Sequence, residues 1–555
     1  MNASLAAGFS RAGIVGPELR PGLTCLIEGR LDDMAEDALA AAYTSRGVGM
    51  LDGLSGSFAL LVWDESARRG LVAVDPLGSR SIFFHDGGDG CLRFATEVGE
   101  LLNLLSATPG PSEPAVARWL AYGALDSGET LYEGIRRLPG GHAIVLDDGA
   151  WREYRYWRPT YRGAGEATAE TAAGAVRQGL SRAVERRCRG KATGILLSGG
   201  LDSSSVAALA SDAGAASLRA YSAVFPDAPE ADESELVGLL AASAGLPSHT
   251  EPVAANGVLA SAVEHVRQWR LPSASPIAFF QRGLLAQARA DGVAVVLDGQ
   301  GGDELFDASP YLLGDLTRAL RLPAALRSAR ALAGGDSRLV RRNLARYALG
   351  GAAPAWAHTR RSKLRRHTAP HWLSARAAAL AGDRPGRHSW LELDGPRWWS
   401  WLADALTVGR ERTGAHDHLR RKLAAEGLAG GHPLLDDLEL IELVLGLPPE
   451  LAYEGSLDRP LLRRAVSGLV PDEIRLRSSK SYFNGLVTGS LDGPEKPFLV
   501  ELLSSPQAEV RAFVTDARMR DVVEGPKPYE HPHHWSANAW RLASTELWLR
   551  SLRTG

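Results

Sequence analysis

The sequence predicts an α/β protein in two domains: a β-rich front over residues 1–160, and an α/β domain with a helical extension over 168–555. Three observations predict it. Short apolar runs separated by turn residues dominate the front; strand- and helix-patterned segments alternate after Thr168; and beyond about residue 310 the apolar spacing is helical. In the front, Thr24–Ile27, Ser57–Trp63, Gly70–Val74, Ser81–Phe84 and His142–Leu146 read as strands, with turns such as Asp86–Gly90 between them. Arg162–Glu166 has the composition of a linker. Further on, strands are expected at 193–197, 218–225 and 293–298 with helices between them, the order of a parallel sheet with crossover helices. Such sheets bind ligands beyond the carboxyl ends of their strands.

Composition narrows the class. A chain of 555 residues exceeds one hydrophobic core, and 45% hydrophobic with 23% charged residues is ordinary for a globular protein. A net charge of -3 argues against a dedicated nucleic-acid partner. No run is long and apolar enough to span a bilayer, so no membrane partner is expected, and the N-terminus has no secretion signal. Cys25, Cys91 and Cys188 are odd in number and scattered, which fits reduced, buried thiols in a cytoplasm.

The chemistry is concentrated in Ser198-Gly199-Gly200-Leu201-Asp202-Ser203-Ser204. The apolar run Thr193–Leu197 leads in and the helix-forming Val206–Ala210 leads out, giving strand, loop and helix. Two glycines let backbone N–H groups close on a phosphate, the serines add hydroxyls, and the helix N-terminus favours an anion. Asp202 stands where a carboxylate can hold a Mg²⁺ bridging phosphate oxygens. No Lys-Ser/Thr closes the loop, so it is not a Walker A sequence. A plain glycine turn before a buried helix would need only Gly199-Gly200; here the whole run fits a phosphate loop. A second stretch, Leu297-Asp298-Gly299-Gln300-Gly301-Gly302-Asp303-Glu304-Leu305-Phe306, follows the buried run Val295–Leu297 and offers Asp303 as a second carboxylate for Mg²⁺.

These stretches resemble the asparagine synthetase B family, and the resemblance covers nearly the whole chain. Leu54–Leu60, Asp75–Gly78 and Phe94–Glu97 are similar to its class II glutaminase half; Leu131–His142 and Tyr156-Trp157 to the junction; Ser198–Ser204, Leu297–Phe306 and His432-Pro433-Leu434-Leu435-Asp436 to its synthetase half. The resemblance implies a degenerate glutaminase-like front of the Ntn type and an ATP-pyrophosphatase synthetase domain behind it. It implies ATP and Mg²⁺, with Leu197, Ser198, Gly199, Gly200, Asp202, Ser203, Ser204, Val224, Asp298 and Gly299 around the nucleotide and Asp202 and Asp303 on the metal. Lys480, in Arg477-Ser478-Ser479-Lys480-Ser481-Tyr482-Phe483, matches the family's C-terminal lysine. Its cation would stabilise charge on the α-phosphate and the departing pyrophosphate. Asp202, Asp303 and Lys480 are therefore the expected catalytic set. No general base is assignable; Glu304 adjoins the metal carboxylate.

Two departures redirect the reading. A class II glutaminase uses a cysteine at position 2, whereas this chain begins Met1-Asn2-Ala3-Ser4; and the family's oxyanion-hole Asn-Gly pair aligns with Glu28-Gly29. The front is expected to be structural and to hydrolyse no glutamine. Two branches of the family use an amine of the substrate itself. The β-lactam synthetases carry a tyrosine where Gln300 stands. The other branch, the lasso peptide cyclases, adenylates a side-chain carboxylate of a leader-free core peptide and closes a macrolactam with the peptide N-terminal amine; Asp298–Glu304 is most similar to it. Its implied partners are a cleaved precursor core peptide, a leader peptidase and a leader-binding protein. Trp356, Trp372, Trp390, Trp398, Trp399 and Trp401 lie in an Arg-rich insert suited to a recognition surface, although most are expected to be helix-packing core. His531, His533 and His534 are expected at a surface or interface rather than on a metal. The alternatives are an amide ligase acting on a small acid, asparagine synthetase-like or β-lactam synthetase-like, and a non-catalytic nucleotide-binding partner in a biosynthetic complex.

Overall fold

The computed structural model describes residues 6–8, 18–20, 23–32, 34, 38–88, 91–147, 150–226, 228–229, 231–354, 356–358, 360, 372–454, 457–478, 483–526 and 532–554. The front holds ten strands among these residues: β1 Ala6–Gly8, β2 Glu18–Arg20, β3 Leu23–Leu31, β4 Gly56–Asp64, β5 Arg69–Val74, β6 Phe83–Asp86, β7 Leu92–Ala95, β8 Ile135–Arg137, β9 His142–Asp147 and β10 Ala150–Arg155. They form a six-stranded sheet, β10-β9-β5-β4-β3-β2, and a four-stranded sheet, β1-β7-β6-β8. Strand alternation drives the layering. Leu61, Val72 and Ile144 of the larger sheet meet Ile82, Phe84 and Phe94 around the smaller one. The opposite faces of β3, β4 and β5 present Ile27, Phe58, Leu60 and Leu71 to the helix Ala38–Arg46. The smaller sheet is covered by helices Val98–Asn103 and Glu113–Tyr122. The order is helix, sheet, sheet, helix.

The rear sheet is β11 Ala192–Leu196, β12 Ser217–Val224, β13 Ser248–Pro252, β14 Val295–Leu297 and β15 Ala429–Gly431, in the order β13-β12-β11-β14-β15. Every pairing is parallel. β11, β12 and β14 occupy the three expected positions. β13 and β15 are the edges; Ser-His-Thr-Glu-Pro and Ala-Gly-Gly carry no apolar run, so pattern alone does not reveal them. Helices Ala169–Cys188 and Leu201–Ala210 pack on one face. Helix Ala278–Ala290 packs on the other through Leu284, Leu285 and Ala288. The chain leaves β11 toward β12 on one side and later returns to β14 on the other, so the crevice between β11 and β14 is a topological switch point. Residues 156–168, which include Arg162–Glu166, have no regular secondary structure. Among the described residues, no helix is long and apolar enough to cross a membrane.

The two halves share a core. Helix Pro532–Thr554 packs Trp535, Trp540 and Trp548 with Trp119 and Leu120 of the front, and Trp548 Nε1 donates to Tyr132 Oη at 3.0 Å. Pro532 opens that helix as an N-terminal proline can, so His533 and His534 lie in its first turn; His531 lies outside the described residues. Trp390, Trp398 and Trp399 are buried in helix packing as expected, while Trp356 is 66% exposed.

The helix Ala415–Ala424 sits at this interface and carries His416 and His418. Burial, reinforced by nearby cations, pushes both down to about 3 from 6.5; the cation is Arg410 for His416, and Lys422 and Arg421 for His418. A histidine buried in the neutral state takes its proton on unfolding, so this contribution is complete above pH 6.5 and is lost as pH falls toward 3. Replacing His418 by Gln is therefore expected to shift the stability difference toward the variant by up to roughly 1.4 kcal/mol per pH unit below that point. Urea unfolding of both proteins at neutral and mildly acidic pH measures it; a pH-independent difference refutes it.

Candidate active site

The loop after β11 and the loop after β14 face each other across a cavity of about 280 Å³. Leu197, Ser198, Gly199, Gly200, Asp202 and Ser203 line it from the first loop, and Asp298, Gly299 and Asp303 from the second. The serines fold the first loop on itself. Ser198 N donates to Ser203 Oγ at 3.2 Å, and the two hydroxyls lie 3.0 Å apart. The helix Leu201–Ala210 begins immediately, directing its N-terminus at the cavity. Close approach explains the glycines of the second loop. A Cβ at Gly299 would fall 2.3 Å from Ser203 N, and one at Gly302 would fall 2.4 Å from Asp202 Cγ.

Two expected residues do not line the cavity. Ser204 is fully buried, because one step along the helix from Ser203 turns its side chain into the core. Val224 lies opposite Pro252 on β13, while its neighbours Tyr221, Ala223 and Phe225 line the cavity. Strand alternation places Val224 on the other side from Ala223. Lys480 lies outside the described residues; its neighbours Arg477, Ser478 and Phe483 line the cavity, and Arg477 pairs with Glu233.

Asp202 and Asp303 converge. Arg459 Nη1 lies 2.6 Å from Asp202 Oδ2 and 2.7 Å from Asp303 Oδ1. Two carboxylate oxygens thus meet at one cationic point beside the Ser198–Ser204 loop. That donor set suits Mg²⁺, a hard cation usually held by one or two carboxylates plus phosphate and water oxygens. Among the described residues, no group of three His, Cys, Asp or Glu forms a closed metal cage.

Asp298 is held in place from the third sequence stretch. His432 Nδ1 is 2.8 Å from Asp298 Oδ1, and Gln300 N donates to the same oxygen at 3.1 Å. Burial alone would raise this carboxyl, but the His432 ring and its hydrogen bond bring it below the usual range. Asp436 turns away and pairs with buried Arg187 on the helix Ala169–Cys188 at 2.5 Å. Burial opposes its charge, but Arg187 holds it down to about 2. His432 therefore orients a cavity carboxylate, while Asp436 anchors the segment to the helix Ala169–Cys188.

In the front, Glu28 is 4% exposed, with Oε1 3.8 Å from both Arg80 and Arg420. Cys25, on the same strand, is buried and its thiol is pushed up to about 11 by burial, so it is no nucleophile at neutral pH.

Sequence reasoning missed Asp458, Arg459 and Arg463, which line the cavity from the turn into helix Pro460–Ala465. They lie more than 250 residues from Asp202 and belong to none of the recognised stretches. The only local signal is Asp-Arg-Pro at a helix start, which reads equally well as a cap.

Fold and site define an α/β domain with a glycine-rich strand–loop–helix at its switch point, behind a layered β domain. The family follows from comparison: residues 175–550 match the asparagine synthase family and residues 33–157 the glutamine amidotransferase domain, and the chain belongs to the asparagine synthase family. It is 26% identical over 476 residues to a Mycobacterium tuberculosis protein provisionally named a glutamine-hydrolysing asparagine synthetase, covering 79% of this chain and 68% of that one. Asparagine synthetase (glutamine-hydrolysing) 3 of Bacillus subtilis is 22% identical over 448 residues, 78% of this chain and 68% of that one. A solved Bacillus subtilis glutamine phosphoribosylpyrophosphate amidotransferase, complexed with ADP and GMP, aligns with 55% of this chain and 59% of its own at 14% identity and a TM-score of 0.17.

Proposed function

We propose that the chain is an ATP-dependent carbon–nitrogen ligase that releases AMP and pyrophosphate and closes a macrolactam in a leader-free peptide, as lasso peptide cyclases do. The observation that carries the ligase reading is the convergence of Asp202 and Asp303 on one cationic point beside the phosphate loop. Those carboxylates would hold Mg²⁺, which when bound neutralises phosphate charge and polarises the α-phosphate. Backbone N–H groups and the hydroxyls of Ser198 and Ser203 would receive the pyrophosphate, and Lys480 would offset its charge on departure. An Asp or Glu side-chain oxygen of the substrate forms a bond to the α-phosphorus as the bond to the bridging oxygen breaks. The substrate amine then attacks the acyl carbon, AMP leaves, and the amine loses its proton.

The peptide reading rests on the source of nitrogen. Where a glutaminase would stabilise an oxyanion, the front places the Glu28 carboxylate between two guanidinia. The amine would then come from the substrate, and holding both peptide ends together supplies much of the acceleration. The partners would be the core peptide and the leader-processing proteins that deliver it, in a cytoplasmic setting. The names of the relatives favour a second reading, amide formation on a small acid with ammonia.

The test is AMP and pyrophosphate release with Mg·ATP and a leader-free core peptide, the peptide read by mass spectrometry. AMP with loss of one water from the peptide supports the cyclase. AMP only with a small amino acid and ammonia supports the second reading. Ammonia release from glutamine overturns the reading of the front domain.

A further inference from the structure

Arg459 is bound more elaborately than a surface arginine. Its Nη1 bridges Asp202 and Asp303, while Nη2 and Nε meet Asp458 Oδ2 at 2.7 and 3.0 Å. Arg463 holds Asp458 from the other side. Three carboxylates thus share one guanidinium that is 9% exposed. Its backbone is a second, independent observation. Arg459 has φ 50° and ψ 47°, the left-handed region, immediately before Pro460. A side chain with a Cβ avoids that region, and a residue preceding proline favours extended backbone. Such strain persists where the surroundings over-determine it, and it clusters at ligand clamps and switch regions.

We propose that Arg459 is a positioning residue that holds the place of the divalent cation: in the nucleotide-free protein its guanidinium bridges Asp202 and Asp303, and it yields them when Mg·ATP enters. The inference rests on the reading of these two aspartates as metal carboxylates. The physical argument is charge balance. Two carboxylates whose oxygens converge on one point repel each other unless a cation stands there. Before nucleotide arrives, no phosphate oxygens complete a Mg²⁺ shell, and two carboxylates alone hold that ion weakly. A tethered guanidinium preserves the geometry and keeps free metal from binding ahead of the nucleotide. Once displaced, it remains beside the phosphate loop, where guanidinium and phosphate pair bidentately. Asp458 and Arg463 keep the turn in place during the exchange.

The test is Mn²⁺ binding to the full chain, followed by electron paramagnetic resonance, with and without ATP. Without nucleotide, Arg459→Ala is expected to bind Mn²⁺ about tenfold or more tightly than wild type, because the competing charge is gone. Adding Asp202→Asn to that variant is expected to abolish the gain, and ATP is expected to narrow the difference between wild type and variant. Arg459→Gln, which keeps the stem and a hydrogen-bonding head, replaces the alanine variant should circular dichroism show the latter unfolded. Equal nucleotide-free affinity in wild type and a folded variant overturns the proposal. A difference between wild type and variant that ATP leaves unchanged or widens overturns it too, while leaving the ligase reading intact. An absence of Mn²⁺ binding in every protein, with ATP present, overturns the metal assignment on which it rests.

Discussion

Asp202→Asn is expected to reduce substrate-dependent pyrophosphate release by about three orders of magnitude or more while leaving the chain folded. The substitution keeps the shape of the side chain and removes its charge. Asp202 is one of the two carboxylates that converge within 2.7 Å of a single nitrogen, so the cationic point loses half of its negative charge. A metal there would hold the phosphates with one carboxylate, and charge developing on the pyrophosphate would go largely unbalanced. Folding is spared because Arg459 keeps Asp303 and Asp458 as partners. Asp303→Asn is expected to behave alike. Product release followed by chromatography, beside a denaturant unfolding curve, separates the two effects. Turnover within about tenfold of wild type would remove both carboxylates from the reaction.

The second large effect concerns stability. Glu97, immediately before the helix Val98–Asn103, is 3% exposed and faces two arginines of the rear domain. Arg421 Nε lies 2.9 Å away and Arg420 is also paired with it. Nearby, Arg137 of the front meets Asp417 of the rear at 3.3 Å, and Ser81 Oγ donates to Asp417 at 2.5 Å. Burial opposes the charge of Arg420, and Glu97 is the main partner that sustains it. Glu97→Ala would leave two buried guanidinia short of a counter-charge, and breaking such a pair costs about 3–5 kcal/mol. Glu28 cannot take over both arginines, since it already lies between Arg80 and Arg420 at 3.8 Å. Urea unfolding of the variant measures the loss. A change under about 1 kcal/mol would mean that water reaches the interface and screens it.

Much of the fold was legible because local pattern and local geometry agree. The apolar run into Leu196, the loop through Ser203 and the helix from Leu201 are contiguous, and the structure joins them as read. Strands β3, β4, β5, β6 and β9 carry enough apolar or β-branched residues to announce themselves. The short edges β13 and β15 do not, since partners across the sheet rather than their own residues make them strands. The misplaced nucleotide contacts, Ser204 and Val224, fail for a related reason. A sequence stretch selects neighbours along the chain, and helix rotation or strand alternation then selects which of them face the cavity.

By itself the sequence determined the two-part architecture and the strand, glycine-rich loop and helix around Ser198–Ser204. Each depends on residues adjacent in the chain, where backbone geometry alone dictates the outcome. Only the tertiary structure decided that Arg459 bridges Asp202 and Asp303, that His432 orients Asp298, and that Glu28 sits between Arg80 of its own domain and Arg420 of the other. These partners are hundreds of residues or a whole domain apart. Their pairing follows from how sheets and helices close-pack and from the need to compensate every charge that packing buries.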